Sequence, residues 1–450
     1  MARAGSGGTR RSGKAGIQVS GEEGGAWAEL NARLAGTDPQ DGQALRDAVA
    51  ALYETAAGTF EPLLQDFEAF SEAELAQGGD ARAARVARGD IAVAGGADSL
   101  AALLDASHLL RALEANLAEF GRYVESDLGE DLEAAWRTSD GRHYVVPRVT
   151  PLAAADGKPF LRRALRHHRV IPTTIDGFGV RLHRSPLAAG TSAAAQERAE
   201  SGRRYGAALF PGLKVTLGFP GDGLFTVDGL DGFDAASVIE AHLDEAGRES
   251  CSAIVWGELT MPETSTAWLR GRFAERALDG GIALRYLVAG SWHRPVAGRM
   301  RNVAPVLDGL GEPLFEVFKW AKFKIDGKRE AIEPGDEIHI LIDEDELVVF
   351  AICRDFLQET REVPYRNLNV DVAIVPSMTS GVPDPDTMQG HAATAQTMRV
   401  RFGTRTLVVA QPAFAAAGPV GEVLAFPAKP LKQNSDTVET AFRLCILETR

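Results

Sequence analysis

Three residues in the second half of the chain are of types that together can cleave a carbon–nitrogen bond. The apolar run SAIVWGEL leads to Glu258, the run ELVVFAIC ends in Cys353, and Lys319 lies between them in PLFEVFKWAKFK. A carboxylate directly after an apolar strand is costly unless it is paired or used. A thiol is mostly protonated at neutral pH, so a nearby carboxylate that accepts its proton would generate a nucleophile. This combination predicts covalent catalysis by Cys353.

The three residue types have complementary roles in acyl chemistry. Glu258 would accept the thiol proton, return a proton to the leaving amine and activate the water that releases the acyl group. Negative charge develops on the substrate when Cys353 attacks, and the Lys319 ammonium and the backbone N–H of Arg354 would stabilise it. None of these steps requires a metal or an organic cofactor, so we expect neither.

The order and spacing of these residues resemble the carbon–nitrogen hydrolase (nitrilase) superfamily, over about residues 205–414. Lys319 follows Glu258 by 61 residues and precedes Cys353 by 34. Three further stretches resemble that family in the same order: GSWH with RNVAPVLDGLGEPL, the Pro-Gly turn in AIEPGDEIHIL, and the strand VDVAIVPS. The resemblance implies that Glu258, Lys319 and Cys353 are catalytic and that Lys319 and Arg354 lie beside the oxyanion.

The same resemblance implies a fourth catalytic residue and shows two departures. Glu330, four residues before Pro334, takes the place of the second glutamate of the family. Gly257 stands where the family usually has proline before its first glutamate, which predicts a looser backbone there. Lys322 competes with Lys319 for the role of the ammonium, and we favour Lys319 from its distance to the Pro-Gly turn and to the nucleophile. The bulky cation of Arg354 hints at an anionic substrate or at a pocket closed by a salt bridge.

β-branched, apolar runs alternate with helical segments from residue 205 onward. The helical segments are predicted at 235–249, 266–278 and about 390–402, and such alternation indicates an α/β layered domain. Several runs are apolar on both faces, so the sheets must be covered on both sides. Together with the resemblance, this predicts an α/β fold in which residues 205–450 form a four-layer α-β-β-α sandwich.

The first 204 residues divide into three parts. Residues 1–24 contain almost no large apolar side chains, which predicts a disordered tail. Residues 25–140 have apolar residues three and four positions apart and many acidic ones opposite, which predicts an acidic domain of about four helices with breaks near 36–42, 78–79 and 95–98. Residues 141–204 are a connecting region of mixed structure. Its basic stretch, Arg162 to Arg169, would contact an anionic ligand or RNA or, as we favour, form a solvated helix face that balances the acidic helices.

The composition of the chain restricts the partners, the metal sites and the cellular location that we expect. A formal net charge of −14 disfavours non-specific nucleic-acid binding but leaves a local basic patch open. The three cysteines, Cys251, Cys353 and Cys445, have no C-x-x-C spacing, which argues against a disulfide framework and a zinc site. We find no apolar signal segment and no apolar run of bilayer length, so we expect a cytoplasmic protein that does not bind membranes.

We therefore predict a cysteine-dependent hydrolase of a linear amide or nitrile, acting on a small molecule through a thioester. The resemblance implies a homodimer or a larger assembly. Transfer of the acyl group to an amine in place of water remains open. The alternative is a catalytically silent scaffold whose helical N-terminal domain recruits a protein or nucleic-acid partner, because the hydrolytic chemistry does not require so long a helical addition.

Overall fold

The computed structural model describes most of the chain. The described residues are 23–59, 61–94, 99–124, 132–148, 151–152, 156–185, 202–278, 284–343, 346–357, 363–379, 385–414, 419–426 and 434–447. They form a mixed helix and sheet fold. Nearly all of the predicted tail, 1–24, lies outside the described residues. In the described part of the chain, no helix combines the length and the apolar character needed to cross a membrane.

The N-terminal region is helical, and the described part of residues 23–136 forms six α-helices and a 3₁₀ turn, Phe67–Ala69. The α-helices are α1 (Glu23–Leu34), α2 (Gly42–Ala57), α3 (Glu61–Asp66), α4 (Glu72–Val86), α5 (Leu100–Val124) and α6 (Leu132–Trp136). The carboxylate of Asp41 caps α2, and Ser71 with Glu74 forms a capping box at α4. One hydrophobic core joins this region, with Leu52 of α2 and Leu109 of α5 fully buried within it.

The predicted break at Gly78–Gly79 is wrong, because both glycines lie inside α4. A Cβ at position 78 would lie 2.2 Å from a ring nitrogen of His108 on α5. The glycine is therefore needed for the close approach of two helices and does not end one. The predicted break near 36–42 is confirmed, since α1 ends at Leu34 and α2 begins at Gly42. The break predicted at 95–98 lies outside the described residues.

The described part of the connecting region contains one short helix and four strands. They are β1 (His143–Pro147), α7 (Phe160–Arg163), β2 (His168–Pro172), β3 (Thr174–Ile175) and β4 (Phe178–Arg184). The predicted solvated basic face is wrong, because Arg163 and Arg169 are each only 3% exposed. Arg163 donates a hydrogen bond to the carbonyl oxygen of Phe67 at 2.8 Å, and Arg169 forms an ion pair with Asp371. Both guanidinium groups therefore bind other groups of the protein.

Strands and helices alternate from residue 203 onward. They are β5 (Arg203–Ala208), β6 (Lys214–Gly218), β7 (Leu224–Asp231), α8 (Ala235–Arg248), β8 (Ala253–Trp256), α9 (Glu263–Leu278), β9 (Tyr286–Val288), β10 (Trp292–Val296), β11 (Arg299–Asp308), β12 (Pro313–Phe318), β13 (Lys324–Ile325), β14 (Lys328–Glu330), β15 (Glu337–Asp343), β16 (Glu346–Phe350), β17 (Val372–Thr379), α10 (Pro385–Phe402), β18 (Arg405–Pro412), β19 (Gly421–Phe426), β20 (Asn434–Val438) and β21 (Phe442–Leu447). The three predicted helices are confirmed as α8, α9 and α10.

The described strands form two large sheets, one four-stranded sheet and the two-stranded sheet β1-β2. One large sheet has the order β10-β11-β9-β8-β5-β21, with β12 also paired to β11, and the other has the order β20-β19-β18-β17-β16-β15-β4-β3. A four-stranded sheet has the order β13-β14-β7-β6. Because β5, β8 and β9 are parallel, and β16, β17 and β18 are parallel, their carboxyl ends lie at one edge of each large sheet.

Alternating side chains on each strand cover both faces of the large sheets. Val255 of β8 and Val348 of β16 belong to one shared core between the two sheets. Their neighbours Ile254 and Val349 point to the opposite faces, because successive residues of a strand alternate. Ile254 packs with α8 and α9, and Val349 packs with α10. Burial on both sides explains why these strands are apolar throughout.

Candidate active site

The ends of β8 and β17 meet where the two large sheets face each other. The backbone N–H of Glu258, two residues after β8, donates to the carbonyl oxygen of Ser377 at 3.0 Å. A Cβ at Gly257 would lie 2.7 Å from the Cβ of Gln411 and 3.1 Å from the carbonyl oxygen of Ser377. Glycine at this position therefore permits tight packing between the strand ends, and the expectation of a looser backbone is wrong.

Lys319, the residue after β12, lies between two carboxylates. Its Nζ is 2.7 Å from Glu258 Oε1 and 2.7 Å from Glu330 Oε2, and all three side chains are at most 3% exposed. Burial alone lowers the pKa of Lys319, but the charges of Glu258 and Glu330 outweigh burial and raise the pKa above its usual value. The ammonium is therefore charged. Lys322, the competing lysine, is half-buried.

Glu330 accepts four hydrogen bonds. Its Oε1 accepts from His293 Nε2 at 2.8 Å and from Asn302 Nδ2 at 3.0 Å, and its Oε2 accepts from Lys319 Nζ at 2.7 Å and from the backbone N–H of Phe323 at 3.0 Å. Burial raises the pKa of Glu330, but the Lys319 ammonium and the His293 hydrogen bond outweigh burial and hold the pKa well below its usual value. Glu330 is therefore an anion.

His293 and Asn302 belong to this network, although neither was predicted to be catalytic. They face each other as a register pair of the antiparallel strands β10 and β11. Asn302 Nδ2 also donates to Glu258 Oε1 at 2.9 Å, so one amide bridges both glutamates. His293 Nδ1 accepts from the backbone N–H of Val227 at 2.8 Å, which places the ring proton on Nε2, the atom that faces Glu330.

Cys353 begins a 3₁₀ turn, Cys353–Phe356, just after β16. Its φ is +47°, a left-handed conformation that is unfavourable for a side chain larger than glycine and that is frequent at functional sites. The residue is 2% exposed, and its Sγ lies 3.8 Å from the carbonyl oxygen of Met378. Burial and the Glu258 carboxylate raise the pKa of Cys353 to about 12, while the Lys319 ammonium lowers it. The resting thiol is therefore protonated.

The two residues after Cys353 fix its turn to the segment that follows Lys319. Asp355 accepts hydrogen bonds from the backbone N–H groups of Trp320, at 3.1 Å, and Ala321, at 2.7 Å. Arg354 Nη1 donates to the carbonyl oxygen of Lys322 at 2.6 Å. The guanidinium that hinted at an anionic substrate thus binds backbone.

Ser377 and His391 form a buried pair beside the nucleophile. Ser377 Oγ is 3.2 Å from His391 Nε2, and both residues are fully buried. Burial lowers the pKa of His391 to about 3, so the ring is neutral. Its Nδ1 has no hydrogen-bond partner within the described residues, and an unpaired donor is the costlier orphan, so Nε2 carries the proton and donates to Ser377. The Ser377 hydroxyl proton can then point to Cys353, a hydrogen bond that lowers the pKa of that thiol.

A cavity of about 160 Å³ reaches this cluster. Glu258, Lys319 and Glu330 line it, and most of the remaining wall is apolar. Cys353 is not one of the lining residues, whereas Met378, whose carbonyl oxygen contacts the sulfur, is. The structure thus brings the predicted carboxylates and ammonium to the cavity and places the predicted nucleophile one residue contact away from it. No three or more His, Cys, Asp or Glu side chains among the described residues are grouped to bind a metal.

Comparisons with known proteins give matches only among solved structures, since no family model and no curated protein matches the chain. An amidase from Nesterenkonia sp. is 17% identical with a TM-score of 0.40, covering 56% of this chain and 92% of that chain. A mutant of the amidase from Nesterenkonia sp. AN1, with the acetamide moiety of fluoroacetamide covalently added at its active site cysteine, is 16% identical with a TM-score of 0.39, covering the same shares. Another mutant, described as a Nesterenkonia AN1 amidase from the nitrilase superfamily, is 17% identical with a TM-score of 0.38, covering 55% of this chain and 92% of that chain. Because these scores and identities are low, the function proposed below rests on the geometry of the site.

Proposed function

We propose that this protein is a cysteine-dependent hydrolase of a non-peptide carbon–nitrogen bond, acting on a linear amide or nitrile of a small molecule. One observation carries the proposal: a buried ammonium, Lys319 Nζ, lies 2.7 Å from both Glu258 and Glu330, and the charges of Glu258 and Lys319 act on the Cys353 thiol. Burying three charged groups together is costly unless they are used or well paired. A thiol, a base and a cation at one point are the groups that acyl transfer needs.

The acylation step follows from the protonation states. Because the pKa of Cys353 is raised to about 12, Glu258 takes the thiol proton as the sulfur attacks the substrate carbon, and no thiolate accumulates beforehand. The carbonyl π electrons move to oxygen, and the Lys319 ammonium and the backbone N–H of Arg354 stabilise the oxyanion. When the carbon–nitrogen bond breaks, Glu258 gives its proton to the leaving nitrogen, and a thioester remains on Cys353.

Water completes the reaction. Glu258, again a carboxylate, accepts a proton from a water molecule as its oxygen attacks the thioester carbon. The sulfur leaves and regains a proton from Glu258, which releases the carboxylic acid. An amine in place of water would give acyl transfer, and the products formed with and without added hydroxylamine separate the two reactions.

Glu330, His293 and Asn302 hold the ammonium and the base in position. Glu330 supplies the second anion that keeps Lys319 charged, so Glu258 remains free to exchange its proton without losing the cation. Asn302 bridges Glu258 and Glu330, and His293 connects Glu330 to the backbone of Val227. This arrangement supports fixed positions for the groups that must act on the substrate.

We also propose that residues 205–450, with β3 and β4 of the connecting region added to one of the sheets, form a nitrilase-like four-layer α-β-β-α sandwich and that residues 25–140 form an acidic helical domain. Three observations support the sandwich: one core is shared by the two large sheets, one lies between a sheet and α8 with α9, and one lies between the other sheet and α10. The apolar core that α1, α2, α4 and α5 share supports the helical domain. The homodimer or larger assembly and the cytoplasmic location stay predictions.

Turnover of simple amides by matched cysteine variants tests the function. Release of ammonia from acetamide, 4-methylpentanamide and benzamide is measured for the wild type, Cys353→Ala and Cys251→Ala. Cys251 is a suitable control because it is also buried, 3% exposed, and burial raises its pKa to about 11. Cys353→Ala should lower kcat/KM at least about 1000-fold, and Cys251→Ala should leave it within about a factor of two. Full turnover by Cys353→Ala would overturn the assignment, and absence of turnover by the wild type would favour the scaffold alternative.

A further inference from the structure

We infer that the substrate carries an uncharged, apolar acyl group, about the size of a phenyl ring or a branched chain. This inference rests on the proposed function and names the substrate class of the same site. Its basis is the wall of the cavity that reaches Glu258, Lys319 and Glu330.

The four-stranded sheet β13-β14-β7-β6 and the segment leading into it supply much of that wall. Apolar side chains from these elements line the cavity: Val215, Leu217, Phe225, Val227, Phe323 and Ile325. Two of them are also tied to the charged cluster by their backbones, because the N–H of Val227 donates to His293 and the N–H of Phe323 donates to Glu330. The wall is thus held in a fixed position relative to the groups proposed to react. Its apolar character therefore determines which acyl groups can lie beside them.

The charges of the lining disfavour an anionic acyl group. Three carboxylates line the cavity, those of Glu258, Glu330 and Asp326, against one ammonium, that of Lys319, which already contacts two of them. A substrate carboxylate would enter an apolar wall with no cation to spare among the described lining residues, and burying an unpaired carboxylate is strongly unfavourable. Arg354, the nearest guanidinium along the chain from the nucleophile, donates to a backbone carbonyl.

The volume of the cavity limits the size of the acyl group. The cavity measures about 160 Å³. An engineered apolar cavity of about 150 Å³ in another protein is filled by benzene. A phenyl ring, or a chain that ends in an isopropyl group, therefore fills the cavity, whereas a single methyl group leaves most of the apolar wall without contact. Phe414 lines the cavity and is 43% exposed, so the cavity opens to solvent beside an aromatic ring.

A matched pair of amides tests the charge preference in the wild type. 4-Methylpentanamide and succinamate have the same chain length and end in an isopropyl group and in a carboxylate of similar shape. We expect kcat/KM for 4-methylpentanamide to exceed that for succinamate by at least about 100-fold, and that for acetamide by at least about 10-fold. A preference for succinamate, or equal rates for acetamide and 4-methylpentanamide, would overturn the inference while leaving the proposed function intact. Absence of turnover of every amide would overturn the function itself, and the inference with it.

A charge placed in the wall tests the residues that set this preference. Leu217 lines the cavity from β6 and is half-buried, and its neighbour Thr216 is exposed. Leu217→Lys should lower kcat/KM for 4-methylpentanamide at least about 10-fold and raise it for succinamate, whereas Thr216→Lys should change neither by more than about a factor of two. Equal profiles for the two variants would contradict the assignment of the wall. The wild-type ranking decides the substrate class even if Leu217→Lys does not fold.

Discussion

Glu330→Gln removes one negative charge from the centre of the buried cluster. The two carboxylate oxygens of Glu330 each accept two hydrogen bonds, and the side chain is 1% exposed. A glutamine keeps one acceptor oxygen, so its NH₂ group would face two donors and leave them unpaired, at about 1–3 kcal/mol each. The attraction to Lys319 at 2.7 Å, about 6 kcal/mol at an effective dielectric constant of about 20, is also lost.

The smaller cost of burying a neutral amide offsets part of this loss. We therefore expect Glu330→Gln to lower the free energy of unfolding by about 3–5 kcal/mol, the range for breaking a buried ion pair from one side. Urea titration followed by tryptophan fluorescence measures the change. Glu333→Gln is the matched control, since Glu333 pairs with Arg299 at 2.8 Å on the surface, with side chains 44% and 64% exposed. It should change the free energy of unfolding by less than about 0.5 kcal/mol.

The difference in free energy of unfolding between the wild type and Glu330→Gln should also depend on pH, which gives a second measurement. The folded-state pKa of Glu330 lies well below its ordinary value of 4.5, so the unfolded chain binds the proton first as the pH falls. The stabilisation by the carboxylate is complete above about pH 5 and decreases as the pH falls from about 4.5 toward the lowered pKa. The difference between wild type and Glu330→Gln should thus be constant from about pH 5 to 8 and shrink below. A loss under about 1 kcal/mol at pH 7, or one no larger than that of Glu333→Gln, would refute the reasoning.

Three further substitutions test separate contacts of the site. Ser377→Ala should lower the rate of Cys353 alkylation by iodoacetamide about 10-fold at about pH 8, as for the loss of one hydrogen bond to a charged group, and an unchanged rate would contradict the contact. Gly257→Ala, whose Cβ would lie 2.7 Å from a neighbouring side chain, should lower stability by about 1–3 kcal/mol in urea, and unchanged stability would argue against the tight packing. Asp355→Asn, which keeps one acceptor oxygen for the backbone N–H groups of Trp320 and Ala321, should lower the free energy of unfolding in urea less than Asp355→Ala, which leaves both donors unpaired at about 1–3 kcal/mol each; equal losses would argue against these contacts.

The positions of Glu258 and Cys353 at strand ends were predictable because long apolar runs mark the strands that precede them. The helical segments between those apolar runs were also predictable, and they correspond to α8, α9 and α10. Strands with a mixed pattern were missed. β7, Leu224–Asp231, contains Asp228 and Gly229, residue types that are rare in strands, and it forms because β6 and β14 pair with it on either side. The last three strands, β19 to β21, were likewise not identified.

The polar network around Lys319 depends on register, which the sequence does not state. His293 and Asn302 are nine residues apart and meet because β10 and β11 form an antiparallel pair. Their signal in the sequence was that both lie in the stretch, GSWH with RNVAPVLDGLGEPL, that resembles the carbon–nitrogen hydrolase superfamily. His391 gave still less, since a histidine in a helix is usually a surface or core residue, and its contact with Ser377 joins α10 to β17.

Tertiary packing overrode two local patterns in the first half of the chain. Paired glycines usually weaken a helix, but Gly78 continues α4 because it fits against His108. Clustered basic residues usually remain solvated, but Arg163 and Arg169 are buried by backbone carbonyls and by Asp371, partners that lie 93 or more residues away along the chain. Contacts over such distances cannot be read from composition.

The most direct test of the account is to trap the acyl group on the nucleophile. Wild-type protein turning over 4-methylpentanamide is quenched in acid within milliseconds, digested and analysed by mass spectrometry, with Cys353→Ala as the control. The account predicts one 4-methylpentanoyl group on the peptide that contains Cys353, released by neutral hydroxylamine and missing from the control. Turnover of the amide with no acyl group on that peptide, or with the acyl group on Cys251 or Cys445, would contradict it.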